Sequence, residues 1–134
     1  MTRIGAWAEL LKLGRNVMGL KDEIRNFCRT NAINSLLKEG WFDFLAQPRS
    51  SQDMCDHFGY TDMEFLLRIL DLFVRDHILT MRDGVYQTVG RVEPGQAKVP
   101  RVFGPSMVQI TLDQAASLPD RLRGRYGSFS DGIN

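Results

Sequence analysis

Lysine is missing from the middle of this 134-residue sequence: none stands between Lys38 and Lys98. A surface that grips a phosphate backbone needs lysine and arginine, so the central stretch starts poorly equipped for that work. The net charge of +1 adds no global pull toward nucleic acid or an acidic membrane. Cysteine is nearly absent too. Cys28 and Cys55 lie in helical pattern, without CxxC spacing and without a histidine at ligand spacing. A structural zinc site takes four such ligands, so no metal is expected, and both thiols are read as reduced and partly buried. No apolar run approaches the roughly 18 residues that span a bilayer. The start, MTRIGAWAELLKLGRN, lacks the basic-then-apolar order of a signal peptide. A cytoplasmic protein without a membrane partner is the expectation.

Apolar residues make up 43% of the chain, enough at this length for one domain with a modest core. Residues 4–13 read as a short amphipathic helix, with Ile4, Trp7 and Leu11 on one stripe and Ala6, Leu10 and Leu13 beside it. Gly14 and Asn16 predict a loosening of the chain. A longer helix is predicted from about Leu20 to Glu39, stopped by Gly40. WFDFL (41–45) forms one dense apolar turn before Pro48.

The richest local signals lie between Ser50 and Val89. Ser50 with Asp53 predicts a capped helix to about Phe58, and Gly59 supplies the turn. Thr61 and Glu64 fit a capping box, with Tyr60 and Phe65 as its hydrophobic staple, at the head of a helix over 62–76. Glu64, Arg68, Asp71 and Arg75 form the one polar stripe of that helix, alternating in sign. ILTM and VYQTV flank Arg82-Asp83-Gly84, a two-strand hairpin with the favoured Asp-Gly turn. Residues 90–105 read as a loop. Ser106 is placed as the cap of a helix over 107–117, with Met107, Ile110 and Ala115 inward. A short basic turn, DRLRGR, follows Pro119.

Helix, turn, helix and hairpin make a winged-helix arrangement, which serves both DNA readers and protein dimers. Charge argues between them. Residues 50–89 carry three arginines against seven acids, a net of −4, while the flanks carry +3 and +2. The would-be reading head is the most acidic part of the chain and repels a duplex. Arg121, Arg123 and Arg125 are a possible basic patch, though a solvated helix end is the commoner explanation. His57 and His77 are read as helix-end residues, His77 in a left-handed stop. Neither has a carboxylate or nucleophile at a catalytic spacing.

From Glu39 to Val89 the chain resembles the N-terminal dimerisation domain of class I S-adenosylmethionine-dependent O-methyltransferases. The residues that carry the likeness are Gly40-Trp41-Phe42-Asp43-Phe44-Leu45, Pro48 and Ser50, then Leu67-Arg68-Ile69-Leu70, Leu72, Ile78-Leu79 and Tyr86-Gln87-Thr88. Leu118-Pro119 and Leu122-Arg123-Gly124 resemble the approach to the catalytic domain. His77 departs from the glycine usual in the family. The Gly-rich turn of the family's cofactor domain is also absent from this sequence.

The resemblance implies a mainly α fold: a winged-helix domain over 20–89, a dimerisation helix over 1–19, and a loop, helix and linker over 90–134. It implies a non-catalytic module that builds a homodimer through its N- and C-terminal helices and helps close an acceptor pocket. Trp7, Leu10, Leu11 and Phe27 are the expected dimer-interface residues. No catalytic, metal or cofactor residue is expected in this chain, and no nucleic acid. S-adenosylmethionine and a small-molecule methyl acceptor are expected for the parent enzyme. The alternative is a stand-alone winged-helix transcriptional regulator that binds DNA.

Overall fold

The computed structural model describes residues 3–125, with side chains from residue 19 onward. Helix α1 runs unbroken over Arg3–Glu39, 37 residues. The loosening predicted at Gly14 and Asn16 does not occur. An internal glycine costs a helix about 1 kcal/mol, and no proline is present to enforce a break. The helix stops where expected, at Gly40, whose φ is 100°.

Helix α2 (Trp41–Phe44) then turns Trp41 and Phe42 into the core. Strand β1 (Arg49–Ser50), two residues long, precedes helix α3 (Ser51–Phe58). Ser50 caps α3 through its hydroxyl, which accepts from the Asp53 N–H at 3.0 Å. The Asp53 carboxylate returns the bond to the Ser50 N–H at 2.9 Å, completing a capping box. That hydrogen bonding, from the Ser50 backbone and then its side chain, holds the Asp53 carboxyl below its ordinary value.

Helix α4 covers Met63–Arg75, and its cap is Asp62, whose carboxylate accepts from the Phe65 N–H at 3.0 Å. The cap expected at Thr61 therefore sits one residue later, and it is a single cap rather than a box, because Phe65 stands at the third helical position. The Thr61 N–H is bound elsewhere, to the Leu122 carbonyl. Tyr60, expected as half of a hydrophobic staple, is a core residue, 4% exposed. His77, at φ 61°, makes the left-handed stop after α4.

Strands β2 (Leu79–Arg82) and β3 (Val85–Thr88) form the hairpin, with Asp83 and Gly84 both at positive φ. This is the mirror-image turn that matches strand twist. The antiparallel sheet has the order β1-β3-β2, and Arg49, Tyr86 and Met81 stand side by side across it. Burial and the nearby Asp71 charge push the Tyr86 hydroxyl up from its ordinary value.

The core lies between the end of α1, α2, α3, α4 and β2. Leu36, Trp41, Leu45, Met54, Leu66, Leu70, Leu79 and Leu122 are its fully enclosed side chains. Phe73 meets Trp41 edge-on at 6.0 Å and lies beside Phe42 at the same distance.

Residues 89–104 have no regular structure but are tied down along α1. Asn34 and Gly95 exchange two hydrogen bonds, of 2.8 and 2.9 Å. Further along, Arg101 pairs with Glu23 at 3.0 Å, and Phe103 meets Phe27 edge-on at 5.9 Å. The loop is thus a strap that runs back down the helix. Helix α5 (Pro105–Ala116) returns beside α1, and α6 (Leu118–Leu122) closes the core. Gly104, not Ser106, is the N-cap of α5, with Pro105 in the first turn, where its missing N–H costs nothing.

Candidate functional site

Three surfaces bear on function. The outer face of α4 is the first. Glu64 and Arg68 pair at 2.7 Å, and Asp71 and Arg75 at 3.1 Å, both one turn apart. Each cation on the helix that would enter a groove is already matched by an acid on its own face. The C-terminal arginines do not make a basic patch either. Arg121 lies over the Phe65 ring at 4.5 Å, Arg123 pairs with Glu39, and Arg125 reaches Asp120 at 4.0 Å.

A polar cluster behind α6 is the second. Trp41 donates its indole N–H to the Tyr60 hydroxyl at 2.6 Å, and that hydroxyl donates to Glu39 Oε1 at 3.3 Å. The Arg123 guanidinium binds the same Glu39 oxygen and the Phe58 carbonyl, the latter at 3.0 Å. Burial drives the Tyr60 hydroxyl far above the ordinary tyrosine range, so it stays a neutral donor. The Leu122 carbonyl accepts from both Thr61 and Asp62 N–H, at 2.9 and 3.0 Å. Gly124 completes the lock at φ 76°, and a Cβ there would stand 2.7 Å from the Thr61 hydroxyl. The cluster fastens α6 to the head of α4.

The third surface is α5 with the end of the strap. Met107 and Ile110, expected inward, are 48% and 51% exposed, while Thr111 and Ala115 take the buried strip. Val99, Val102 and Leu112 are exposed as well. By helical spacing, Met107 and Ile110 flank one side of the buried strip, and Leu112 and Ala116 the other. Between α1 and α5–α6 lies a cleft of about 400 Å³, lined on one wall by Asn31, Asn34, Ser35, Lys38 and Glu39.

Of the expected interface residues, Phe27 is buried within the chain, 4% exposed, against Phe103. The side chains of Trp7, Leu10 and Leu11 lie outside the described residues. His57 stacks flat on Phe44, ring centres 4.2 Å apart, as a residue of the last turn of α3. Cys55 is buried, which with the Asp56 charge pushes its thiol up, whereas Cys28 is exposed rather than partly buried. Among the described residues there is no cluster of metal-ligating side chains, and no helix long and apolar enough to cross a membrane. Compared with protein-family models, with curated proteins and with solved structures, the chain matches none.

Proposed function

We propose that this chain is a non-catalytic winged-helix dimerisation domain of the kind found in small-molecule O-methyltransferases. In this reading it joins two subunits through α1 and α5 and helps close an acceptor pocket. S-adenosylmethionine and the methyl acceptor belong to the parent enzyme. Support for the fold comes from the order α3, turn, α4, hairpin, with β1 completing the sheet ahead of α3. That order also suits a DNA-binding regulator, but the self-paired stripe on α4 opposes such a use.

The observation that carries the assembly reading is the exposed apolar edge of α5. Covering a Met or Ile side chain is worth about 1.5–3 kcal/mol, which makes a second subunit the natural occupant of that edge. The continuity of α1 adds to it. Residues 3–18 prolong that helix, which rises about 1.5 Å per residue, instead of forming a separate arm. Light scattering after size exclusion is expected to report a dimer at micromolar concentration. Ile110→Glu is expected to shift it to monomer without loss of helix content. A wild-type chain that stays monomeric at high micromolar concentration overturns the reading.

A further inference from the structure

We propose that the cleft between α1 and α5–α6 is a binding site for a small organic monoanion: a carboxylate carried on a compact apolar body. This goes beyond the assembly reading and does not depend on it.

The two walls of the cleft differ in chemistry. Asn31, Asn34, Ser35 and Lys38 come from one face of α1, at positions i, i+3, i+4 and i+7. Leu112, Ala115, Ala116 and Pro119 form the opposite wall, small and apolar. A polar wall facing an apolar one suits a ligand with one charged end and one greasy end. Its volume of about 400 Å³ sits near the lower end for small-molecule sites and suits a compact body.

The polar groups sort into those already used and those still free. Asn34 is spent on Gly95, through both its amide nitrogen and its oxygen. Glu39 is neutralised by Arg123 and further bound by Tyr60. Asn31 gives its amide nitrogen to the Phe27 carbonyl at 2.8 Å. Lys38 and Ser35 make no ion pair or side-chain hydrogen bond among the described residues. Nor is Lys38 needed to finish α1, since the Gly40 N–H already serves the Leu36 and Leu37 carbonyls. What remains is one uncompensated ammonium with one hydroxyl donor a turn away.

Charge then selects the ligand. A cation meets Lys38 and is repelled. A dianion such as a phosphate monoester calls for more than one cation, and the cleft offers one. A carboxylate takes one charge-assisted bond from Lys38 Nζ and one from Ser35 Oγ, with its body against Leu112 and Ala116.

Titration of the ¹⁵N-labelled chain with sodium benzoate, at constant ionic strength, tests this. Benzamide serves as the uncharged control. A probe this small is expected to bind at about the millimolar level. Saturable amide shifts are expected at Ser35, Lys38, Leu112 and Ala116 with benzoate, and none with benzamide. Lys38→Gln is expected to weaken binding about tenfold, the loss of one charge-assisted bond. Ala116→Trp, which fills the apolar wall, is expected to abolish it while Lys38 remains; Ser35→Ala provides an independent variant should the tryptophan disturb the fold. Equal shifts with benzamide, shifts centred on Arg68 and Arg75, or an unchanged affinity in Lys38→Gln overturn the proposal. So does a response that fails to saturate. A monomeric chain that still binds benzoate removes the assembly reading and leaves this one standing.

Discussion

Helices α4 and α5 have almost the same length, 13 and 12 residues, and opposite relations to the rest of the chain. Helix α4 buries Leu66, Ile69, Leu70 and Phe73, starts on a side-chain cap, and covers its outer face with two internal ion pairs. Helix α5 buries Thr111 and Ala115, has no side-chain cap, and leaves Met107 and Ile110 in the open. Even its buried threonine turns back on its own helix, donating to the Met107 carbonyl at 2.8 Å. Helix α4 also leaves Leu67 and Leu72 exposed beside its polar stripe, but its inner side is filled by large side chains, whereas that of α5 offers a threonine and an alanine. Helix α5 packs along α1 through that narrow strip, with the strap before it and α6 after it.

The widest gap between the two helices should appear on truncation. Phe73→Ala removes a ring packed against Trp41 and Phe42 and is expected to cost about 3–5 kcal/mol in urea unfolding. Met107→Ala on α5 is expected to stay within about 0.5 kcal/mol in the monomer. Equal losses would break the comparison.

A smaller effect is expected where α6 meets the head of α4. Tyr60→Phe leaves the buried Trp41 N–H without an acceptor, at a cost of about 1–3 kcal/mol. The same variant has a pH signature. Wild-type Tyr60 keeps its proton in the folded state above the ordinary tyrosine value of about 10, whereas the unfolded chain loses it there. Its contribution is complete below that value and declines as pH rises beyond it. Thermal melts from pH 8 to 11 should show an alkaline decline in the wild type that is shallower in Tyr60→Phe.

The caps supply the smallest and sharpest contrast. Asp62→Ala is expected to cost about 1 kcal/mol, whereas Gly104→Asp, with open space around its Cβ, is expected to gain a few tenths (roughly 0.3 kcal/mol). Chemical denaturation of the pair checks both signs.

Legibility in the sequence followed the same division. The Ser50 cap, the Asp83-Gly84 turn and the left-handed His77 were readable because each is decided by a few neighbouring residues. The start of α4 misled by one position, since Thr61 and Asp62 are both good caps and nothing in the neighbouring sequence separates them. Strand β1 carries no periodicity at two residues and exists because β3 lies beside it. The strap could not be read either. Its order comes from Asn34, Glu23 and Phe27, each more than sixty residues away. Of the candidate sites, the cleft beside Lys38 carries no sequence signal, because its second wall comes from α5 and α6, more than seventy residues away. On α5 itself the apolar pattern was visible, but which part faces inward depends on the angle at which α1 receives it.

The Leu122 carbonyl, fixed by two amides from the head of α4, has a consequence for how the protein is made. Synthesis is vectorial, and a domain settles once its sequence has emerged. Trp41, Tyr60 and Glu39 emerge early, yet the residues that seal them, Leu122 and Arg123, come some sixty or more positions later. Until then Glu39 lacks the Arg123 guanidinium and the head of α4 lacks its anchor on the Leu122 carbonyl. A nascent chain halted at the hairpin therefore holds most of the core's side chains and an open seam, and the last helix is what shuts it.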